Sequence, residues 1–254
     1  MSDFDRQARR ARLRLAGIGV LAAGVLVTGG VIAVNALGGD DGNESDTRTG
    51  ASPTSTNSPA VHQTRTPATA RRLDLSAYGP DSTSKGIGTG FEHSAMGATA
   101  AAVSYWENLD LLDDVIARRQ WTAIASKDSP EAIERGTSEV RKLREGAGLP
   151  PSGGTPDGIT FTTSVNAVLQ RSLDNSGEVV NVWMSYDRYA TVRNKGGDDD
   201  PLKNETTNLV LKWEDGDWKV TEEQKYTERV RGPRAYHPDS RWAYMDGWRE
   251  LADA

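Results

Sequence analysis

The chain has 254 residues, a formal net charge of −6 and no cysteine. The absence of cysteine excludes disulfides, thiolate nucleophiles and zinc sites built on thiolates. The acidic balance argues against nucleic acid as a partner, because nucleic acid binds to a concentrated basic surface. The hydrophobic content is 36%, below the ~45–50% of typical globular chains, a figure that also counts glycine. We therefore expect part of the chain to lie outside a packed core.

A basic tail and a long apolar segment open the chain. Five arginines lie within residues 1–14, whereas the 23 residues 15–37 carry no charge. A helix of this length spans roughly 34 Å, enough for a hydrocarbon core of about 30 Å. Basic residues stay on the cytoplasmic side of a membrane helix. The sequence therefore predicts a single-pass protein of the cell membrane, with a cytoplasmic tail at 1–14, a transmembrane helix at 15–37 in contact with lipid, and the rest outside.

Two other interpretations of the apolar segment are open. A cleaved signal peptide is compatible with the small-residue site Val34-Asn35-Ala36, although the apolar region of such a peptide is typically only about 7–15 residues long. The segment could also be a buried helix of a soluble domain. We favour the uncleaved membrane anchor because of the length of the segment.

Residues 38–86 differ in composition from the rest of the chain. Serine, threonine, proline, glycine and aspartate dominate this stretch, and its first aromatic residue is Tyr78. Such a segment buries too little apolar surface to offset the entropy lost on ordering. The sequence predicts a disordered linker here, followed by a folded extracytoplasmic domain over residues 87–254.

The folded domain begins with helical patterns and continues with extended ones. Ser94 can cap a helix that starts in an alanine-rich stretch and carries an apolar stripe as far as Ile116, and Ser129 can cap a second helix over residues 130–146. Period-two alternation then predicts strands at 159–173, 178–192, 206–213 and 218–220. The Asp215-Gly216 pair predicts a hairpin turn between the last two. The fold class is thus α+β, with two or three helices packed on a four-stranded, mostly antiparallel sheet. A short amphipathic helix is predicted after Pro238.

Two motifs resemble known families. The segment Leu211-Lys212-Trp213-Glu214-Asp215-Gly216-Asp217-Trp218-Lys219-Val220, with the small residues Gly97-Ala98 and Ala100 to Ala102, resembles the nuclear transport factor 2-like fold, which implies a curved, cone-like sheet. The segment Gly90-Phe91-Glu92-His93-Ser94-Ala95-Met96-Gly97-Ala98 resembles the opening motif of membrane-anchored extracytoplasmic proteins of actinobacterial mobile elements. The same plan of tail, membrane helix, linker and outer domain is used by bitopic assembly subunits of conjugative type IV secretion systems.

Six aromatic and histidine side chains are candidates for a pocket or an interface: His93, Trp183, Tyr186, Tyr189, Trp213 and Trp218. Histidine titrates near neutral pH, so His93 is a candidate catalytic group, but capping the following helix is the simpler role. Tyr186 and Tyr189 could face a pocket or serve only in packing. Three scattered histidines without cysteine give no metal-ligand spacing. We predict no catalytic set, no metal and no cofactor.

The leading hypothesis is a membrane-tethered, non-enzymatic interaction protein that belongs to a conjugative transfer or secretion assembly. Its expected partners are lipid through residues 15–37, protein subunits of the envelope assembly and, as an alternative, further copies of the chain. A second hypothesis is a tethered enzyme or small-ligand binder of the cell envelope with a pocket in the cone. A third is a secreted protein of the cell wall, which would follow from cleavage of the apolar segment.

Overall fold

The structure, a computed structural model, describes residues 72–193, 196–197, 201–233, 236–237 and 241–252. The predicted tail at 1–14, the predicted transmembrane helix at 15–37 and most of the predicted linker lie outside these residues. No helix in the described part of the chain combines the length and the apolar character that crossing a bilayer requires.

In the described part of the chain, three α-helices precede the main sheet: α1 at Ala95–Asn108, α2 at Asp114–Ile124 and α3 at Glu131–Gly146. The Ser94 hydroxyl accepts a hydrogen bond from the Gly97 N–H and caps α1, as its position predicts. The apolar stripe that continues to Ile116 is divided between α1 and α2. Between them, the Asp110 carboxylate accepts two backbone N–H groups, and Asp113 caps α2. These aspartates compete with the helical hydrogen bonds and therefore end α1.

The strands form two antiparallel sheets. Strands β1 (Ser82–Ser84) and β2 (Ile87–Thr89) form a two-stranded sheet. The large sheet contains β3 (Ile159–Ser172), β4 (Val179–Val192), β5 (Gly196–Gly197), β6 (Leu202–Glu214), β7 (Asp217–Val220) and β8 (Arg249–Glu250). Its order is β7-β6-β4-β3-β8, with β5 paired to β4. Two short helices, α4 (Gln224–Thr227) and α5 (Arg241–Asp246), lie between β7 and β8.

The prediction of a cone-like domain, with a four-stranded sheet under two or three helices, is wrong. The large sheet has six strands, a separate two-stranded sheet is present, and the described residues contain no membrane-spanning helix. The additional strands escaped prediction because β5 and β8 have two residues each, too few to show alternation. Strand β1 lies within the range 38–86 predicted as linker, and its polar sequence Ser-Thr-Ser carries no apolar pattern.

The two faces of the large sheet are covered by different parts of the chain. Helix α1 packs on one face, where its small, fully buried residues Ala98, Ala101 and Ala102 bring the helix backbone close to the strands. We call this face the α1 face. On the opposite face, Ala167 and Leu169 of β3 pack against the C-terminal residues Tyr236, Ala243 and Trp248.

The first described residues join the sheet next to β8. The N–H of Leu73 donates to the carbonyl of Glu250 at 2.7 Å, and the N–H of Ala252 donates to the carbonyl of Leu73 at 3.0 Å. Leu73 thereby forms an isolated parallel bridge with Leu251. The two ends of the described chain therefore lie side by side at one edge of the sheet.

Candidate functional site

Three of the six predicted site residues come together at the start of α1. The imidazole of His93 stacks on the indole of Trp213, with ring centroids 4.1 Å apart and ring planes inclined by 7°. The Trp218 ring lies 5.9 Å from that of His93 and 5.3 Å from that of Trp213. Nε2 of His93 lies 3.1 Å from Oε1 of Glu178. We call these four residues the His93 cluster.

Contacts between the segment before α1 and strand β7 hold the His93 cluster in place. The indole N–H of Trp218 donates to the Glu92 carbonyl at 2.8 Å, and the Phe91 N–H donates to the Asp217 carboxylate at 3.1 Å. Gly97 has no room for a side chain, because a Cβ there would lie 1.9 Å from the Glu92 carbonyl oxygen. The Gly-Phe-x-His-Ser-x-x-Gly-Ala motif therefore forms a joint between α1 and the β6–β7 hairpin.

The surroundings of His93 favour packing or an interface over catalysis. Its side chain is 46% exposed and that of Glu178 is 41% exposed, so water screens the ion pair that the protonated imidazole can form. A histidine that activates a nucleophile holds that nucleophile within hydrogen-bonding distance. Among the described residues, the ring and ion-pair contacts of His93 are with two indoles and one carboxylate.

The other three predicted residues lie away from the His93 cluster. Tyr186 is buried on the α1 face of β4, and its ring meets that of Trp106 edge-on at 5.2 Å. Trp183 lies on the opposite face of β4, beside the group formed by Leu169 and Trp248. Tyr189 is 37% exposed and donates a hydrogen bond to Asp187, which raises the pKa of the Tyr189 phenol. The six residues therefore do not share one pocket.

A small cavity lies where the three long helices meet β6. Its volume is about 10 Å³, and it is lined by Trp106, Trp121, Ala132, Arg135, Gly136, Leu209 and Glu222. This is about the space that one water molecule needs. The Glu222 side chain is 4% exposed and forms an ion pair with Arg135. Burial nevertheless raises the pKa of Glu222, and the opposing effect of Arg135 is smaller. The indole nitrogen of Trp106 is buried and has no hydrogen-bond partner within the described ranges.

Neither Glu222 nor Arg135 stands out in the sequence as a functional candidate. The two residues lie far apart in sequence and meet only after α3 has folded against the end of β7. Gly136 makes this packing possible, because a Cβ at Gly136 would lie 2.1 Å from the indole nitrogen of Trp121. Neither composition nor spacing signals such a contact. Within the described ranges, no group of three or more His, Asp and Glu side chains could hold a metal ion.

An exposed apolar surface lies on α5. The exposed fractions are 47% for Trp242, 47% for Tyr244 and 69% for Met245. The guanidinium carbon of Arg249 lies 4.7 Å from the centroid of the Tyr244 ring. Ala243 faces inward and anchors α5 in the second core group, beside Trp248. We call Trp242, Tyr244 and Met245 the α5 patch. Tryptophan, tyrosine and methionine are enriched in the central parts of protein interfaces.

Comparison with known proteins gives one match to a family. No curated protein and no solved structure matches the chain significantly. The model of a family described as a domain of unknown function, DUF8175, matches residues 33–238. This range covers most of the chain and includes α1 to α4, seven of the eight strands among the described residues and the whole His93 cluster. The chain therefore belongs to the DUF8175 family.

Proposed function

We propose that the protein is a membrane-tethered, non-enzymatic interaction protein whose folded part binds protein subunits of an envelope assembly of the transfer or secretion type. Residues 15–37 are the membrane anchor, and the Ser/Thr/Pro-rich segment after them is the tether. A tethered domain searches for partners in two dimensions at a high effective concentration, so that modest contacts are enough for binding.

The proposal rests on the exposure of the α5 patch. Three large side chains of the types favoured at interface centres are exposed on one short helix. Their inward neighbour Ala243 is fixed in the core, so the patch is presented on an ordered element. The partner that suits it is a protein surface with an apolar groove, since burial of aromatic and methionine side chains supplies most of the binding energy at such contacts.

The geometry of the remaining candidates supports binding over catalysis. His93 stacks on an indole and contacts a carboxylate, without a hydroxyl or thiol nucleophile among its ring and ion-pair contacts in the described residues. The cavity beside Glu222 has room for about one water molecule. The second candidate function is the binding of a small ligand in this cavity. The cavity is lined by the buried carboxyl group of Glu222, whose pKa is raised, and by the Trp106 indole N–H, which has no hydrogen-bond partner among the described residues. Such a ligand would have to displace one of the tryptophans that line it.

The proposal is tested by photocrosslinking in membranes of the native host. A crosslinking amino acid replaces Met245 in the α5 patch, and in a matched control it replaces Glu145. Glu145 is also exposed, but it lies on α3, on the other side of the large sheet. We expect Met245 to give adducts with envelope-assembly subunits several times more often than Glu145, as identified by mass spectrometry. Equal labelling from both positions would reject the α5 patch as the interface. Recovery of the uncrosslinked chain from both would favour the small-ligand alternative.

A further inference from the structure

Arg188 is a buried cation on β4, the central strand of the large sheet, near the end of that strand. It lies on β4, where it pairs with Thr163 of β3 and Leu202 of β6. Only 6% of its surface is exposed. Its side chain lies on the α1 face, because its guanidinium carbon is 5.3 Å from the centroid of the Trp106 ring and 5.1 Å from that of Tyr186. Arginines are rarely buried to this degree unless they are paired.

The hydrogen bonds of Arg188 leave one edge of its guanidinium group unused. Nε donates to the hydroxyl of Thr163 at 2.9 Å. Nη2 is buried and has no hydrogen-bond partner among the described residues. Thr163 therefore engages Nε, whereas no hydrogen bond joins Nη1 or Nη2 to a residue that the structure describes. Two parallel N–H groups at this spacing match the two oxygens of a carboxylate.

The described residues supply no counter-ion for this charge. Burial lowers the pKa of Arg188, and Tyr186 is the single group that acts against this shift. Glu205 lies opposite Tyr186 on β6, and burial raises its pKa. Arginine nevertheless stays protonated in proteins. The aromatic rings compensate for part of the lost hydration through cation–π contact, but an unpaired buried charge remains unfavourable.

We propose that Arg188 is the anchor of a carboxylate-binding site, in which Nη1 and Nη2 donate side by side to the two oxygens of the ligand. The rings of Trp106 and Tyr186 form apolar walls. The hydrogen bond from Nε to Thr163 fixes the orientation of the guanidinium fork, the pair of terminal nitrogens Nη1 and Nη2. A flat carboxylate suits this site better than a tetrahedral phosphate dianion, since its two oxygens match the two parallel N–H groups in one plane. The site is separate from the α5 patch, which lies with the C-terminal residues on the opposite side of the sheet.

The test measures thermal unfolding of the purified full chain while sodium acetate replaces sodium chloride at constant ionic strength and neutral pH. A ligand that binds only the folded state raises the midpoint in proportion to the logarithm of its concentration above the dissociation constant. We expect acetate to raise the midpoint of the parent more than that of Arg188→Met, and phosphate, which also stabilises folded proteins generally, to give a smaller difference between the two proteins. A larger difference for phosphate than for acetate would overturn the assignment to carboxylates. A flat response to acetate would overturn the site itself.

Two variants test whether the rise of the unfolding midpoint with acetate depends on Arg188. Arg188→Met keeps the length of the side chain and removes the charge. It should remove the acetate response while leaving the midpoint without acetate unchanged or higher, because an unpaired buried charge is gone. Arg118→Met is the matched control, since Arg118 is partly exposed and pairs with Glu134, and it should keep the full response. An acetate response that survives in Arg188→Met would overturn the proposal.

Should Arg188→Met fail to fold, Arg188→Lys provides the decisive measurement. Lysine keeps the charge but lacks the fork, so the apparent dissociation constant for acetate should weaken by about tenfold or more. An unchanged constant would reject the bidentate site. Triglycine and its C-terminal amide then separate two sources of the carboxylate. Stabilisation by triglycine but not by its amide assigns the site to a peptide C-terminus, whereas stabilisation by acetate alone assigns it to a small molecule.

Discussion

At the residue scale, Gly97 makes the closest approach between the start of α1 and the segment before it. The Glu92 carbonyl that a Cβ at Gly97 would meet accepts the indole N–H of Trp218, and it also accepts the N–H of Ser94. These two hydrogen bonds prevent the carbonyl from moving away. The glycine of the motif is therefore required for the joint between α1 and the β6–β7 hairpin.

This packing predicts a large effect of Gly97→Ala. We expect the free energy of unfolding to fall by an amount at the upper end of the ~1–3 kcal/mol typical of overpacking. Urea denaturation followed by tryptophan fluorescence measures the change. Gly232→Ala is the control, because a Cβ at Gly232 would meet nothing within 4 Å, and it should be nearly neutral. A loss for Gly97→Ala no greater than that of the control would show that the Glu92 carbonyl can move.

Single residues also show which features of the site cannot be predicted from the sequence. His93, Trp213 and Trp218 were selected by residue type, yet their stacking depends on a contact between segments more than 100 residues apart. Arg188 and Glu222 escaped attention because each looks like an ordinary charged residue on or near a strand. These two residues become unusual only in the folded structure, where contacts with distant segments remove water from their charged groups.

At the element scale, the connection between α3 and β3 is fixed to α2 by two buried charged residues. The Asp114 carboxylate accepts the Ser152 hydroxyl at 3.0 Å, the Gly153 N–H at 3.0 Å and Nε of Arg141 at 3.0 Å. Arg144 donates to the carbonyls of Leu112, Pro150 and Gly154. A loop without secondary structure is thus held by side chains that replace its missing backbone partners.

This arrangement predicts pH-dependent destabilisation by Asp114→Asn. The hydrogen bond from the Gly153 N–H is the largest cause that holds the pKa of Asp114 below its ordinary value of 3.8. A carboxyl group whose pKa is lower in the folded than in the unfolded state stabilises the fold above its ordinary pKa, and this contribution is lost as the pH falls through the folded-state pKa. We expect Asp114→Asn to lower the free energy of unfolding by about 1 kcal/mol or more at pH 7.

Measuring the free energy of unfolding over a range of pH provides the control for Asp114→Asn. The difference between Asp114→Asn and the parent should begin to shrink as the pH falls below 3.8, where the carboxylate of the unfolded parent becomes protonated, and it should be lost below the lower pKa of the folded state. Asp157→Asn alters an exposed carboxylate in the same connection and should change stability little at any pH. A deficit of Asp114→Asn that stays constant from pH 7 to pH 3 would point to a packing effect rather than to charge.

Elements with strong local signals were the predictable part of the fold. The Asp215-Gly216 pair has φ values of 54° and 79° and closes the β6–β7 hairpin, as a turn of this sequence requires. The division between α1 and α2 was missed because the apolar stripe continues across it, while the aspartates that end the helix act through side-chain hydrogen bonds. Strand β8 could not be predicted, because its two residues gain their partners only from β3 and Leu73.

At the scale of the whole molecule, the proposed membrane tether predicts how the chain is extracted from cells. With residues 15–37 spanning the bilayer, the full chain should stay in the membrane pellet after alkaline carbonate treatment. A variant that lacks residues 15–37 should move to the soluble fraction. Protease added to intact spheroplasts should digest the folded part and leave the tail at 1–14 protected. Complete solubility of the intact chain would remove the anchor from the proposal, and a mature N-terminus near Ala36 would identify a cleaved signal peptide.

The bridge between Leu73 and β8 determines how mechanical load would pass through the domain. Under the proposed function, a partner bound at the α5 patch would pull at Trp242 and Met245, and the tether would pull just before Leu73. The shortest route between these points runs from α5 through β8 and across the two hydrogen bonds that join Leu73 to Glu250 and Ala252. Strands β4 and β6 lie outside that route, whereas β3 is joined to it by its pairing with β8 and by the packing of Ala243. While the two bonds hold, tension would be carried at the edge of the sheet.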